Sequence, residues 1–324
     1  MNQIRNQSDL DRLFQSVRLM SVIVGWASQG LFEAMMEAES MALQELPGDD
    51  RALRVTARIL ANAGLLVRRG DEWALSPSGA NLYDEGLLSD DHSLSVFQDL
   101  TQISDLLTDG GPVRDEDGEK QSSRIGVYPD DPERSREFLK VLHRRSESSA
   151  KETARWIDKI VGPNSRVLDL GGGHGRYGYE LVELGHQATV FDFPLGVEVA
   201  RELHGDTLEC IEGDFLVDDL GGPYDVVLAS NIIHGLSEKE NQTLVVRIAD
   251  ALAPGGLLVI KDMFLDEFGL WPPGAVYFSM LMLMYTDEGD CYSLDTAQEW
   301  FRRAGLDVLD PVVFDGFALV VGQK

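Results

Sequence analysis

The chain has 324 residues and a formal net charge of −27 at pH 7. That length allows one large domain and a smaller one, each with its own core. So large an acidic surplus argues against a nucleic-acid partner, which needs a cationic face to displace counterions from phosphates. The basic residues are mostly Arg, a composition that suits a high-salt cytoplasm and is also found in acidic mesophile enzymes. No apolar run reaches the roughly 18 residues that span a bilayer. The polar start, Met1 to Gln7, has no apolar segment of a leader peptide. The expectation is a cytoplasmic protein without a membrane partner. Cys210 and Cys291 have neither metal-ligand spacing nor a disulfide pattern, so two reduced thiols and no metal site are expected.

Taken in chain order, three regions separate: 1–100, 101–155 and 156–324. In the first, Leu13, Val17, Met20, Ile23 and Val24 recur at helical spacing between Leu10 and Ala27. A short helix is expected over Leu31–Glu37. Asp49-Asp50 can cap a third helix from Arg51 to Gly64, where glycine stops it. Leu65 to Leu75 reads as two short strands around Gly70-Asp71. Three helices followed by a hairpin is a winged-helix pattern. Arg51, Arg54 and Arg58 on the third helix would suit DNA, but the unit lacks a basic footprint, so a dimerisation or lid module is the preferred reading. The second region reads as a helical connector. Gly110-Gly111-Pro112 and Asp115 to Gly118 mark loops, and Asp131-Pro132-Glu133 opens a helix running towards Ile157.

The third region alternates strands and helices. Strands are expected at Arg166–Leu170, Ala188–Phe191, Thr207–Glu212, Tyr224–Ala229, Gly256–Ile260, Leu306–Phe314 and Phe317–Val321. Short apolar runs separated by helices give a parallel sheet with crossovers, a Rossmann-like α/β fold. Asp315-Gly316 between the last two strands is a hairpin turn, so the sheet should end in an antiparallel pair.

Asp169-Leu170-Gly171-Gly172-Gly173-His174-Gly175 joins the first of these strands to a helix. Glycines let the chain turn sharply and let a ligand approach the backbone. Gly173 to Gly178 also fits the dinucleotide pattern G-x-G-x-x-G. Asp169 separates the two readings, because a carboxylate there would repel a pyrophosphate but attract a cation. S-adenosylmethionine (SAM) has no phosphate and carries a sulfonium and an ammonium, so the motif points to SAM. Asp192, followed by Phe193, ends the next strand about twenty residues on, where an acid can accept hydrogen bonds from ribose hydroxyls; an N-cap before Pro194 is the plainer alternative. After the third strand, Asp214 can accept from an adenine amino group and Phe215 can stack on the ring, though alone the segment reads as a turn. Ser230 to Glu238 follows the fourth strand, at the strand ends where open α/β sheets bind ligands. There His234 can take a proton from a hydroxyl, or serve only in capping or packing. The other histidines (His92, His143, His174, His186 and His204) are read as structural.

With these motifs in order, the chain resembles the SAM-dependent O-methyltransferases that include plant caffeate-type enzymes and bacterial antibiotic-tailoring enzymes. The resemblance runs nearly the whole length and is strongest from Arg166 to Gly305. It implies an N-terminal winged-helix dimerisation domain and hence a homodimer, a class I methyltransferase domain, SAM as cofactor, S-adenosylhomocysteine as product and a small-molecule acceptor. It further implies that Gly171 and Gly173 contact the methionine part of SAM, with Asp169, Phe193 and Ser230 also in the cofactor site, that Asp192 holds the ribose, and that Asp214 and Phe215 lie at the adenine. His234 falls on the family's general base and Asp262 on the acid that orients it. The family's His-Asp-Trp-Ser-Asp-like segment reads His234-Gly235-Leu236-Ser237-Glu238 here, and Cys291 stands near the place of a second acid. Tyr277, Met280, Leu281 and Met284, on a helix opened by Trp271-Pro272-Pro273, would line the acceptor pocket with Cys291, or serve as plain core and dimer contact. The resulting expectation is methyl transfer to a hydroxyl of an aromatic or polyketide-like molecule. A C- or N-methyltransferase or a non-methylating SAM enzyme is the alternative, and a winged-helix ligand-sensing regulator the remote one.

Overall fold

The computed structural model describes residues 4–84, 86–88, 96–97, 99–115, 117–121 and 131–324. The readings placed on Met1 to Gln3, His92 and Glu116 lie outside the described residues. The chain divides into two compact units between Ser104 and Asp105.

The first unit holds α1 (Gln7–Ser28), α2 (Leu31–Ala38), α3 (Asp50–Asn62), the strands β1 (Leu66–Arg69) and β2 (Glu72–Leu75), and α4 (Pro77–Asp84). The sequence explains the ends. The Asn6 side chain accepts from the Asp9 amide at the start of α1, and Asp49 accepts from Ala52 at the start of α3. β1 and β2 pair antiparallel with Leu66 opposite Leu75, turning at Gly70 in the left-handed region. Trp26, Phe32, Met35, Leu60 and Leu66 form the core of this unit. The early part of α1 leaves Leu13, Phe14, Val17 and Met20 exposed. Among the described residues no single helix is long and apolar enough to cross a membrane; α1 and α2 meet that test only as a pair bent by 68°.

Past α5 (Ile103–Asp109), at the division, the second unit opens with α6 (Pro132–Arg145) and α7 (Glu147–Val161). The single helix expected from Asp131 to Ile157 is thus two. It breaks at Ser146, with φ −83° and ψ −3°, whose hydroxyl donates back to the His143 carbonyl and competes with the helical ladder.

The sheet contains β3 (Arg166–Leu170), β4 (Gln187–Asp192), β5 (Glu209–Glu212), β6 (Tyr224–Ser230), β7 (Leu252–Asp262), β8 (Asp307–Val308), β9 (Val312–Val313) and β10 (Ala318–Gln323). Its order is β5-β4-β3-β6-β7-β10-β8, with β9 also on β10. The first five strands run parallel, and β10 is antiparallel to β7, β8 and β9. The expected strand from Leu306 to Phe314 is split into β8 and β9, with Pro311, which has no N–H to give a ladder, between them. The chain leaves β3 towards β4 and β5, then returns to build β6 and β7 on the other side. The strand order therefore switches between β3 and β6, the place where open α/β sheets hold ligands.

Helices α8 (Arg176–Glu183), α9 (Pro194–His204), α10 (Glu238–Ala251), α11 (Pro273–Tyr285) and α12 (Leu294–Arg303) complete the unit. Side chains alternate along each strand, so the sheet has two faces. Leu168, Leu170, Ala229, Leu258 and Ile260 point to one core with Phe215, Leu244 and Trp300. Val167, Val190, Leu228 and Val259 point to the other with Ala154, Tyr177 and Leu181.

Candidate active site

The turn after β3 is shaped by three glycines at positive φ: Gly171 at 65°, Gly173 at 48° and Gly175 at 71°. Gly171 must also be small, since a Cβ there would lie 2.5 Å from Ile232 Cγ2. Asp169 is fully buried beneath this turn. Its Oδ2 accepts from the Gly178 amide at 2.8 Å, which ties the strand end to α8. Its Oδ1 has no hydrogen-bond partner among the described residues. Burial, aided by the nearby Asp192 charge, pushes the Asp169 carboxyl up to about 7. At the tip of β4, Asp192 Oδ2 accepts from the Gly173 amide and Oδ1 from the Phe193 amide, both at 2.6 Å. Burial raises this carboxyl to about 6. Phe193 lies half-buried with its ring 6.1 Å from that of Phe215, which is itself fully buried. Asp214 Oδ1 accepts from the Leu216 amide. Across the switch point, Ser230 is buried and its Oγ has no partner among the described residues. The turn thus brings together glycine backbone, the buried Asp169, the half-buried Asp192 and two polar oxygens without partners among the described residues. Buried oxygens without partners are costly unless a ligand or water satisfies them. A ligand bearing hydroxyls and positive charge fits this donor set, and one bearing phosphates does not.

On the other side of the switch point, residues 233–235 form one helical turn after β6, and β7 ends at Asp262. His234 Nδ1 lies 2.8 Å from Asp262 Oδ1 and 3.1 Å from Oδ2. Asp262 is 1 % exposed and also accepts from the Met263 amide. A carboxylate accepts only, so Nδ1 carries the proton and Nε2 is left with a free lone pair. The Phe278 ring meets the imidazole edge-on at 4.8 Å. Asn241, fully buried, donates to the carbonyls of Ile233 and Leu236 and fixes the turn from behind.

The expected acceptor-side residues are dispersed around α11. Met284 is fully buried, Met280 and Leu281 are half-buried, and Tyr277 is 51 % exposed. Phe278, on the helix expected to line the pocket, makes the contact with His234; the sequence does not single it out, because α11 is apolar on every side and shows no preferred face. Cys291 is buried, and burial pushes its thiol up to about 12, so it stays protonated and cannot serve as a charged second acid. Asp290 is exposed and accepts from the Cys291 amide. Two further arrangements had no sequence signal. His143, His174 and His204, from α6, the glycine turn and α9, meet with ring centres 5.1–5.7 Å from His143. Lys261 Nζ reaches Asn231 Oδ1 at 2.8 Å. Among the described residues no group of three or more His, Cys, Asp or Glu could hold a metal ion.

A family model described as the O-methyltransferase domain matches residues 85–307, well over half of the chain. The chain belongs to the O-methyltransferase family. It is a SAM-dependent enzyme that methylates oxygen, and the two acids and the glycine turn suit that cofactor. A 3-hydroxy-5-methyl-1-naphthoate 3-O-methyltransferase from Streptomyces sahachiroi is 27% identical over 305 residues, 88% of this chain and 85% of that protein. The fold matches that of an O-methyltransferase family protein from Burkholderia thailandensis, with a TM-score of 0.81 and 21% identity over 99% of both chains. It also matches human N-acetylserotonin methyltransferase in complex with SAM, with a TM-score of 0.79 and 19% identity over 100% of this chain and 99% of that one.

Proposed function

We propose that this methyltransferase acts on a hydroxyl of a small aromatic molecule, with His234 as the general base and Asp262 as its orienting partner. The pairing of His234 Nδ1 with the buried Asp262 carboxylate carries the reading. It fixes the tautomer, aims Nε2 away from the acid and stabilises the imidazolium that forms when a proton is taken. When bound, SAM supplies a methyl group on a sulfonium. Gly171 and Gly173 would hold its methionine part, with Asp169 and Ser230 offering their unpartnered oxygens; Asp192 would take the ribose, and Asp214 and Phe215 the adenine. A phenol's ordinary pKa of about 10 exceeds that of His at about 6.5, so His234 removes the proton as the oxygen becomes nucleophilic rather than before. The chain otherwise supplies alignment. An aromatic acceptor is supported by the Phe278 ring beside His234, by the Met-rich α11 (Met280, Leu281 and Met284, with Cys291 nearby) and by the naphthoate substrate in the relative's name. Incubation with SAM and a panel of phenols and naphthols, followed by mass and NMR analysis, tests it. An O-methyl product that His234→Ala fails to form is expected. A methyl on carbon or nitrogen, or an unimpaired variant, overturns it.

The finer partner reading belongs here too. The exposed stripe Leu13, Phe14, Val17 and Met20 supports a homodimer built through the N-terminal unit, whose winged-helix order of elements serves pairing rather than DNA. Sedimentation should give a dimer that Phe14→Asp weakens. A wild-type monomer would remove this reading. The acidic surface and reduced thiols favour the cytoplasm, without nucleic-acid or membrane partners.

A further inference from the structure

Lys261 is an unusual residue to find in the middle of this fold. It sits next to the last residue of β7 and is 6 % exposed. Its side chain points to the sheet face opposite to that of Asp262. The ammonium donates to Asn231 Oδ1 at 2.8 Å, a neutral amide rather than a carboxylate. Two ring faces also lie beside it among the described residues, Phe317 at 4.7 Å and Tyr177 at 5.8 Å from the ring centres. A buried ammonium is costly to desolvate, so each of these contacts bears on whether the residue is tolerated.

Asn231 is the first residue beyond β6 and lies at φ 58°, a left-handed conformation that costs little for glycine and more for a residue with a side chain. It is held at both ends. Its amide donates to the Lys261 carbonyl at 2.8 Å, and its side chain receives the Lys261 ammonium. Residues on either side of it face the site. Ser230 pairs in register with Lys261 and carries the unpartnered Oγ. Ile232 packs where a Gly171 Cβ would be. His234 follows two residues later.

We infer that Lys261 is a positioning residue: it clamps Asn231 in the left-handed conformation that turns the end of β6 and delivers His234 to Asp262. The inference rests on the proposed role of His234. A misplacement of about 1 Å at a reacting group can cost of order 10²-fold in rate, so a single clamp on this turn has leverage on kcat.

The test is a set of variants in the full-length protein. Lys261→Met keeps the length and apolar fit but removes the donor; kcat should fall by about 10–100-fold. Asn231→Ala removes the acceptor and disfavours the left-handed backbone, and adding Lys261→Met to it should cost little more, because both break one clamp. Glycine takes positive φ without a clamp, so Asn231→Gly in the Lys261→Met background should recover most of the lost kcat. A role in packing alone predicts no such rescue. Calorimetry with S-adenosylhomocysteine and hydrogen exchange at the residue-231 amide supply readouts apart from turnover, with faster exchange expected in Lys261→Met and slower exchange again in the double variant. Wild-type kcat in Lys261→Met, additive losses with Asn231→Ala, or no rescue by glycine would overturn the inference. Failure of the His234 reading would show separately, as full activity in His234→Ala.

Discussion

Asp169 on β3 and Asp262 on β7, the strands on either side of β6, are buried to the same degree, yet their surroundings differ. Asp262 has its partner built into the chain: both oxygens face His234, and Oδ1 takes the Met263 amide as well. Asp169 has one amide on Oδ2 and nothing on Oδ1, and burial raises its carboxyl to about 7. A buried acid with its full set of partners is ready before any ligand arrives. A buried acid left short of partners gains most when something charged or hydrogen-bonding reaches it. On the proposed assignment of the site, the acceptor side is preorganised by the protein itself, whereas the cofactor side is completed by the cofactor. Each half should respond to mutation in its own way.

The largest effect should come from the preorganised half. His234→Ala should lower kcat by about 10²–10⁴-fold, while calorimetry finds S-adenosylhomocysteine binding little changed. Asp262→Asn leaves the ring in place but frees its tautomer, and a loss of about 10–100-fold in kcat is expected. If either variant instead lost cofactor affinity with kcat intact, the division between the two halves would be broken.

How much of this could be read without coordinates follows the same division. The glycine turn, Asp169, Asp192 and His234 stand at strand ends, and a strand end is visible in sequence as the point where an apolar run meets glycine or a charge. Asp262 was legible only through resemblance, since nothing local says that a strand residue 28 positions later faces His234. Lys261 was illegible for the same reason: its bond to Asn231 depends on the register of β6 against β7. The histidine trio needs α6 and α9 folded against the glycine turn before it exists. The break at Ser146 and the split at Pro311 were missed because an apolar pattern continues across each of them, while a single hydroxyl or a missing N–H decides the backbone.

The incomplete half should be sensitive to charge and pH. Asp169→Asn keeps the shape and an acceptor for Gly178 but removes the charge, and should weaken SAM about tenfold, on the scale of one charge-assisted hydrogen bond. In the wild type, SAM affinity should fall as pH drops through about 7, where Asp169 takes up a proton, and further through about 6 for Asp192. The variant should show a flatter profile in the upper part of that range. Stability of the ligand-free protein runs the opposite way. These carboxyls are raised from 3.8 on folding, so their contribution is complete below that value and is lost as pH rises through about 6 to 7. Cofactor affinity that ignores pH in the wild type would mean that Asp169 stays charged or takes no part.

The smallest effect sharpens the comparison from beneath the glycine turn. Among the described residues His143 Nε2 is buried without a partner, and the ring faces His174, His204, Arg176 and Arg144, with Glu147 as an opposing charge. Desolvation first, and the charges of His204, Arg176 and Arg144 second, lower His143 from 6.5 to about 4, and desolvation lowers His174 to about 3. Folding therefore favours neutral imidazoles. The stability they contribute is present above about 6.5 and is lost as pH falls towards 4, because the unfolded chain binds protons that the folded one resists. Asp169 and Asp192 push the other way over part of the same range, so the net slope alone decides nothing. His143→Phe isolates the contribution. It fills the same space, removes one titrating group and leaves both acids untouched. At about pH 7.5 its melting temperature should match that of the wild type, and at about pH 5 it should lie above it by roughly 2–4 °C, the shift expected for about 1 kcal/mol in a domain of this size. Parallel profiles would show that His143 is solvated enough to take up its proton when folded. The packing of α6 against the glycine turn would then be looser than the two ring contacts of His143 imply.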